Sequence, residues 1–203
     1  MNKDNLLIIF VKNPELGKVK TRIAATLGEE KALAIYHYLL TYTHDIALKT
    51  KGCDRAVFYA DYIDNEDKWE NGKFKKYLQK GTDLGEKMKN AFIQAFELGY
   101  KNICIIGSDN LEVNSSIIEE AFHNLTNNNA VIGPANDGGY YLLGLNKLIE
   151  EVFSNKEWST SSVFTETIAD LKRLHTPFHT LKHLNDIDTE GDWIKAKSQR
   201  QVL

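Results

Sequence analysis

Cysteine is scarce in this chain: Cys53 and Cys104 are the two among 203 residues, each beside a hydrophobic run and neither in a metal-type pair. That sparsity excludes a disulfide framework and suits a reducing compartment. Long apolar runs are missing too. The stretch Leu6 to Val11 is too short to span a bilayer and runs straight into Lys12 without a small-residue cleavage pattern. A cytoplasmic protein with no membrane span is therefore expected. Positive charge is not in excess: the net charge is -3 and the pI about 6.1, which argues against a dedicated nucleic-acid binder. No internal repeat, low-complexity tract or linker rich in proline, glycine or serine interrupts the chain. With 42% hydrophobic and 26% charged residues the composition is that of an ordinary globular protein, and a single domain over residues 1–203 is expected.

Several chemical signatures are absent as well. A P-loop needs two glycines around a fixed spacer and then Lys-Ser/Thr, but here Gly17-Lys18 is followed by Val19. There is no G-x-G-x-x-G dinucleotide fingerprint, no G-x-S-x-G elbow and no cysteine with a persuasive histidine partner, so covalent nucleophilic catalysis has no support. His175, His179 and His183 recur every fourth residue, a zinc-like spacing on a helix. Pro177 breaks that stretch, and Thr176, Phe178 and Thr180 favour extended chain, so these histidines belong to a strand or the surface.

What is present is an alternation of strands and helices. Leu6 to Val11 is continuously apolar, the mark of a strand buried on both faces. Leu33, Ile35, Tyr36, Leu39, Leu40 and Ile46 recur at helical spacing between about Glu29 and Leu48. Ala56 to Ala60 reads as a strand, Leu84 to Leu98 as an amphipathic helix ending at Gly99, and Ile103 to Ile106 as another strand. A helix over Ser115 to Leu125, strands at Ala130 to Ile132 and Tyr140 to Leu145, a helix over Ser161 to Leu174 and a short one after Thr189 complete the pattern. Such alternation implies an α/β fold with a mainly parallel central sheet covered by helices on both faces.

Ligands of open α/β sheets bind beyond the carboxyl ends of the strands, so polar residues that directly follow a strand are candidates. Two places qualify. The loop after the first strand crowds Lys12, Lys18, Lys20 and Arg22 against a lone Glu15 beside a helix start, where cations, backbone N–H groups and the helix dipole all favour phosphate. Gly107-Ser108-Asp109 follows the strand ending at Ile106, and a carboxylate there can hold a hard divalent cation that bridges phosphate oxygens. Each has a plain structural alternative, a solvated basic loop in one case and a helix-capping aspartate in the other. Asp137-Gly138-Gly139 is a good tight-turn sequence whatever the function. Asp186-Ile187-Asp188 places two carboxylates on one face if extended, while Thr189 and Asp192 have the spacing of a capping box.

Taken in order, these segments resemble a bacterial family, the glycosyltransferase-A-like proteins of the DUF2064 type, relatives of nucleotide-diphospho-sugar transferases. The motifs are Phe10 to Arg22, Gln79 to Met88, Gly107-Ser108-Asp109, Gly133 to Leu142, Trp158-Ser159-Thr160, and Asp186 to Thr189 with Asp192. The resemblance implies a Rossmann-like fold of the nucleotide-diphospho-sugar transferase (GT-A) type. It implies that Lys12, Lys20 and Arg22 face the nucleotide's phosphates, that Gly81, Asp83 and Gly85 lie near the nucleotide, and that Asp109 is the principal ligand of Mg²⁺ or Mn²⁺. It further implies Asp188 as second ligand, with Asp186 as the alternative, and Asp137, Gly138, Gly139, Tyr140 and Trp158 on the acceptor or sugar side, Asp137 being a candidate base. The chain departs from the family pattern where Asn110-Leu111 replaces a residue followed by proline, and where Thr82 and Lys87 stand for a usual Gly and Arg. Lys87 keeps the charge but not the bidentate fork of arginine. The function implied first is a metal-dependent transferase using a nucleotide-diphospho-sugar donor and a small-molecule acceptor. Nucleotidyl transfer from a nucleoside triphosphate to a phosphorylated small molecule is the second reading, and a non-catalytic nucleotide-binding module the third.

Overall fold

The computed structural model describes residues 4–200, and one seven-stranded sheet organises them. Strand β1 (Asn5–Val11) is one of its interior strands. It pairs in parallel with β2 (Asp54–Tyr59) on one side and β4 (Asn102–Ile106) on the other, and β2 in turn pairs in parallel with β3 (Lys75–Leu78). Beyond β4 comes β6 (Tyr140–Leu145), which runs antiparallel to both its neighbours, then β5 (Ala130–Pro134) and the edge strand β7 (Phe178–Thr180). The order is therefore β3-β2-β1-β4-β6-β5-β7, with β6 the reversed strand.

The unbroken apolar run of β1 is explained by two cores. Successive strand residues point to opposite faces. Leu7, Ile9 and Val11 join a cluster under α1 (Thr21–Leu27), α2 (Glu29–Lys49), α4 (Ser115–Asn124) and α6 (Glu190–Arg200). Leu6 and Ile8 join another under α3 (Leu84–Glu97), a 3-10 turn at Glu150–Phe153 and α5 (Val163–Arg173). Strand β4 does the same, with Cys104 and Ile106 on the first face and Ile103 and Ile105 on the second. Fully burying a Leu or Ile contributes about 1.5–3 kcal/mol, so the run Leu6 to Ile9, buried on both faces, anchors the sheet.

The ends of the long elements are set locally. Asp83 caps α3 by accepting from the Glu86 amide at 2.8 Å, and Asn114 caps α4 by accepting from Ile117 at 3.1 Å. At the far end of α3 the Gly99 and Tyr100 amides bond back to the Phe96 and Ala95 carbonyls, the paired closure of a Schellman motif. The expected strands and helices are all found, most with ends moved by one or two residues. Three elements were not anticipated. Strand β3 (Lys75–Leu78) opens with two adjacent lysines and has little apolar signal, α1 has only seven residues, and the 3-10 turn has four. Histidines 175, 179 and 183 do not share a helix: His179 lies in β7, and His175 takes a left-handed conformation just after α5.

Candidate active site at the carboxyl edge of the sheet

Strands β1, β2, β3 and β4 all end on the same edge, and their ends are tied together. The Gln79 side chain, just past β3, donates to the carbonyls of Val11 (3.1 Å) and Phe58 (2.9 Å), so it links three neighbouring strands. The Asn13 carboxamide accepts from the amides of Asp61 and Tyr62 and donates to the Tyr62 carbonyl, which fixes the loop after β1 against the loop after β2. From α2 comes Tyr36. Its buried hydroxyl accepts from the Lys12 amide (2.9 Å), donates to the Lys12 carbonyl (3.1 Å) and lies 3.3 Å from the Ser108 hydroxyl. One phenol thus joins the exits of β1 and β4. Tyr36 counted as a core position in the sequence, and the signal was available: a buried tyrosine hydroxyl needs a partner.

Lys20 is the pivot of the site. It starts α1 with a left-handed backbone, φ 47 and ψ 46, a conformation that costs a residue bearing a Cβ roughly 1–2 kcal/mol. Its ammonium meets the Asp109 carboxylate at 2.8 Å and the Asp188 carboxylate at 3.2 Å. The Lys20 side chain is 6% exposed, against 48% for Asp109 and 38% for Asp188, so a buried cation faces two carboxylates that open to solvent. Burial alone would lower the lysine pKa, but the charges of Asp109 and Asp188 and their hydrogen bonds more than offset it and hold the group above the usual lysine range. The basic loop and the aspartate after β4 therefore do converge, and the third partner comes from 168 residues along the chain.

Around this centre the acidic groups crowd. Asp186 accepts from the Asn110 side chain at 2.9 Å, and the Ile187 amide donates to the Asp109 carbonyl at 2.8 Å, so the segment before α6 lies antiparallel to the chain leaving β4. Burial drives the Asp186 carboxyl up to about 7; the Asn110 bond works against that rise, and the charges of Asp109, Asp137 and Asp188 reinforce it. Asp137, in the exposed turn between β5 and β6, accepts from the Gly139 amide at 2.9 Å. Asp188 and Thr189 are held by Asp192, which accepts from both amides and from the Thr189 hydroxyl, the capping box at the start of α6.

The other expected residues fall elsewhere on the same rim. Lys12 and Arg22 are exposed, one just past β1 and the other in the first turn of α1. Thr82, Asp83 and Glu86 satisfy one another as the cap of α3, and those bonds hold the Glu86 carboxyl below its usual range. Gly81 packs against the backbone of Glu86 and Lys87 in the same turn. Gly85 lies under the Trp158 indole, where a Cβ would come within 2.3 Å of the ring, so the tryptophan closes onto α3 because the helix lacks a side chain there. Gly138, at φ 93, has the Ser161 carbonyl 2.2 Å from where a Cβ would be, and its own carbonyl accepts from Phe164 at 2.9 Å. The Asp137–Gly139 turn is thereby locked to the start of α5. Tyr140 and Trp158 pack into the α3-side core.

A family model described as an uncharacterized protein conserved in bacteria (DUF2064) matches residues 43–160. A crystal structure from Desulfovibrio desulfuricans G20, described as that of a candidate nucleotide-diphospho-sugar transferase, is 31% identical with a TM-score of 0.88 over 98% of this chain and 89% of that one. The chain belongs to the DUF2064 family. More distant structures share the fold. The 4-diphosphocytidyl-2C-methyl-D-erythritol synthase of Anaerococcus prevotii DSM 20548 is 14% identical with a TM-score of 0.64, covering 99% of this chain and 97% of that one. Rv0371c of Mycobacterium tuberculosis H37Rv, in complex with manganese, is 10% identical with a TM-score of 0.56 over 96% and 98% of the two chains. No curated protein matches the chain. The Rossmann-like nucleotide-diphospho-sugar transferase fold expected from the sequence is the fold of this family member, with helices on both faces of the sheet. Among the described residues no helix is long and apolar enough to cross a membrane.

Proposed function

We propose that this protein is a single-domain, divalent-metal-dependent transferase that takes a sugar from a nucleotide-diphospho-sugar to a small-molecule acceptor. The observation that carries the reading is the meeting of Asp109 and Asp188 on one cationic nitrogen, 2.8 and 3.2 Å away, at the carboxyl ends of β1 and β4. Two carboxylates already aimed at a single positive point fit Mg²⁺ or Mn²⁺. Among the described residues no set of three or more His, Cys, Asp or Glu forms a complete cage. An ion held by these two carboxylates would take water and substrate phosphates in its remaining positions. The relative described as a nucleotide-diphospho-sugar transferase and the manganese complex of a protein with this fold point the same way.

When bound, the ion would supply Lewis-acid neutralisation of the charge that builds on the leaving diphosphate. The protein's own groups do the rest. Lys20 exchanges one carboxylate for a diphosphate oxygen, and its raised pKa keeps it cationic through neutral pH. Lys12 and Arg22, exposed on the same loop and helix, add charge toward the phosphates. Asp137 takes the proton of the acceptor hydroxyl as that oxygen bonds to the sugar, while the electron pair of the broken sugar–phosphate bond leaves with the nucleoside diphosphate. Gly138 fixes the turn that carries this carboxylate through its contact with Ser161.

Nucleotidyl transfer is the second reading, and the concentration of Lys12, Lys18, Lys20 and Arg22 in one short segment favours it, since a triphosphate brings more charge than a diphosphate. Product analysis with Mn²⁺ separates the two. Free nucleoside diphosphate released from a sugar donor supports glycosyl transfer. Pyrophosphate released from a nucleoside triphosphate and a sugar phosphate supports the second. Nucleotide binding with neither product leaves a non-catalytic module.

A further inference from the structure

Asn110 follows the principal candidate ligand and is almost entirely buried, with 6% of its surface exposed. Every polar atom of its side chain is engaged. Its carbonyl oxygen accepts from the Glu112 amide at 2.7 Å and the Val113 amide at 2.9 Å, which closes the turn leaving Asp109. Its amide nitrogen donates to Asp186 at 2.9 Å, two residues before Asp188. The next residues repeat the stitch. Glu112 accepts from the Asn185 amide (3.0 Å) and side chain (3.1 Å), and the Asn185 carboxamide oxygen accepts from Asn136 at 2.8 Å, beside Asp137. Three loops far apart in sequence are fastened at this point: the one after β4, the β5–β6 turn and the segment before α6.

We propose that Asn110 is a positioning residue that sets the separation of Asp109 and Asp188. Its carboxamide does two jobs at once. One end fixes the backbone on the Asp109 side, and the other hooks the segment that carries Asp188. The cation site is thus assembled by a clasp beside it, in which the buried Asn110 side chain works with the Ile187–Asp109 backbone bond and the Glu112–Asn185 contact. The inference rests on the reading of Asp109 and Asp188 as holders of a divalent ion.

The test measures Mn²⁺ binding to the purified full chain by water-proton relaxation, with and without inorganic pyrophosphate, alongside the melting temperature of each variant. Asn110→Ala removes both jobs. Asn110→Ser keeps a short acceptor for the turn but cannot reach Asp186, so it decides the matter if the alanine variant fails to fold. The double exchange Asn110→Asp with Asp186→Asn keeps the acceptor for the turn, restores the second bond with donor and acceptor exchanged, and leaves the net charge unchanged. The expected result is a loss of at least tenfold in Mn²⁺ affinity for the alanine and serine variants, and a return to within about threefold of the parent for the exchanged pair, tenfold corresponding to 1.4 kcal/mol. Parent-like Mn²⁺ affinity in the serine variant, with only the melting temperature lowered, would show a structural role and overturn the proposal. Failure of the parent protein itself to bind Mn²⁺, even with pyrophosphate, would remove the ion-site reading and this inference with it.

Discussion

Two loops on the same edge of the sheet are both rich in charged residues, and the fold uses them differently. In the loop before α3, Thr82, Asp83 and Glu86 bond to one another within four residues, and their polarity is consumed in ending a helix. In the loop after β1, Lys20 finds no partner nearby and reaches Asp109 and Asp188, while the Lys12 backbone is held by Tyr36 from α2. Charges that satisfy their neighbours explain local structure. Charges brought together from three remote segments, with one of them buried in a left-handed conformation, need another explanation, and strain of that kind is concentrated at functional sites.

The sharpest way to break this comparison is Asp109→Asn. If the convergent loop is the chemical one, turnover with a nucleotide-sugar donor and Mn²⁺ should fall at least a hundredfold, about 3 kcal/mol of transition-state stabilisation. The melting temperature should fall only modestly, because Asp109 is half exposed and Asp188 still pairs the buried Lys20. A pH titration of stability in chelator-treated protein comes next. Between the ordinary carboxylate value near 4 and about 7, folded Asp186 retains a proton that the unfolded chain has released, so stability should fall as pH rises through that window. The slope is bounded at about 1.4 kcal/mol per pH unit, and Asp186→Asn should flatten it. A denaturation series at intervals of half a pH unit shows whether it does.

Smaller effects belong to residues that only shape the rim. Gly138→Ala sets a Cβ against the Ser161 backbone at a positive φ, with an expected cost of about 1–3 kcal/mol. For a chain of this length that lowers the melting temperature by roughly 2–4 °C per kcal/mol, readable by calorimetry. Asp83→Ala removes the cap of α3 and should cost about 1 kcal/mol, and Asp83→Asn, which still accepts from Glu86, should recover most of it. A loss of nucleotide affinity in Asp83→Asn at undiminished stability would place this loop, too, in the binding site and erase the contrast.

The sequence made the frame legible for a physical reason. Apolar runs such as Leu6 to Val11 and the helical spacing of Leu33 to Ile46 are written by burial, which repeats along the chain. Strand β3 escaped because Lys75-Lys76-Tyr77-Leu78 is half exposed at the sheet's side and carries little of that repeat. For the candidate site, the order of motifs singled out Lys20, Asp109 and Asp188, and the fold brings the lysine against both carboxylates. What could not be read is the clasp. Asn110 looked like a mere spacer before Leu111, where the family has proline, and Tyr36 looked like one more core aromatic, because their roles depend on partners 76 and 72 residues away.

A crystal structure with Mn²⁺ and a nucleotide-diphospho-sugar bears on the central claim most directly. The account predicts anomalous density for the ion between the Asp109 and Asp188 carboxylates, and the diphosphate within hydrogen-bond reach of Lys20. Nucleotide bound instead along the shallow groove of Phe164, Ile168 and Phe178 between α5 and β7, with Lys20 still locked to both aspartates, would contradict it.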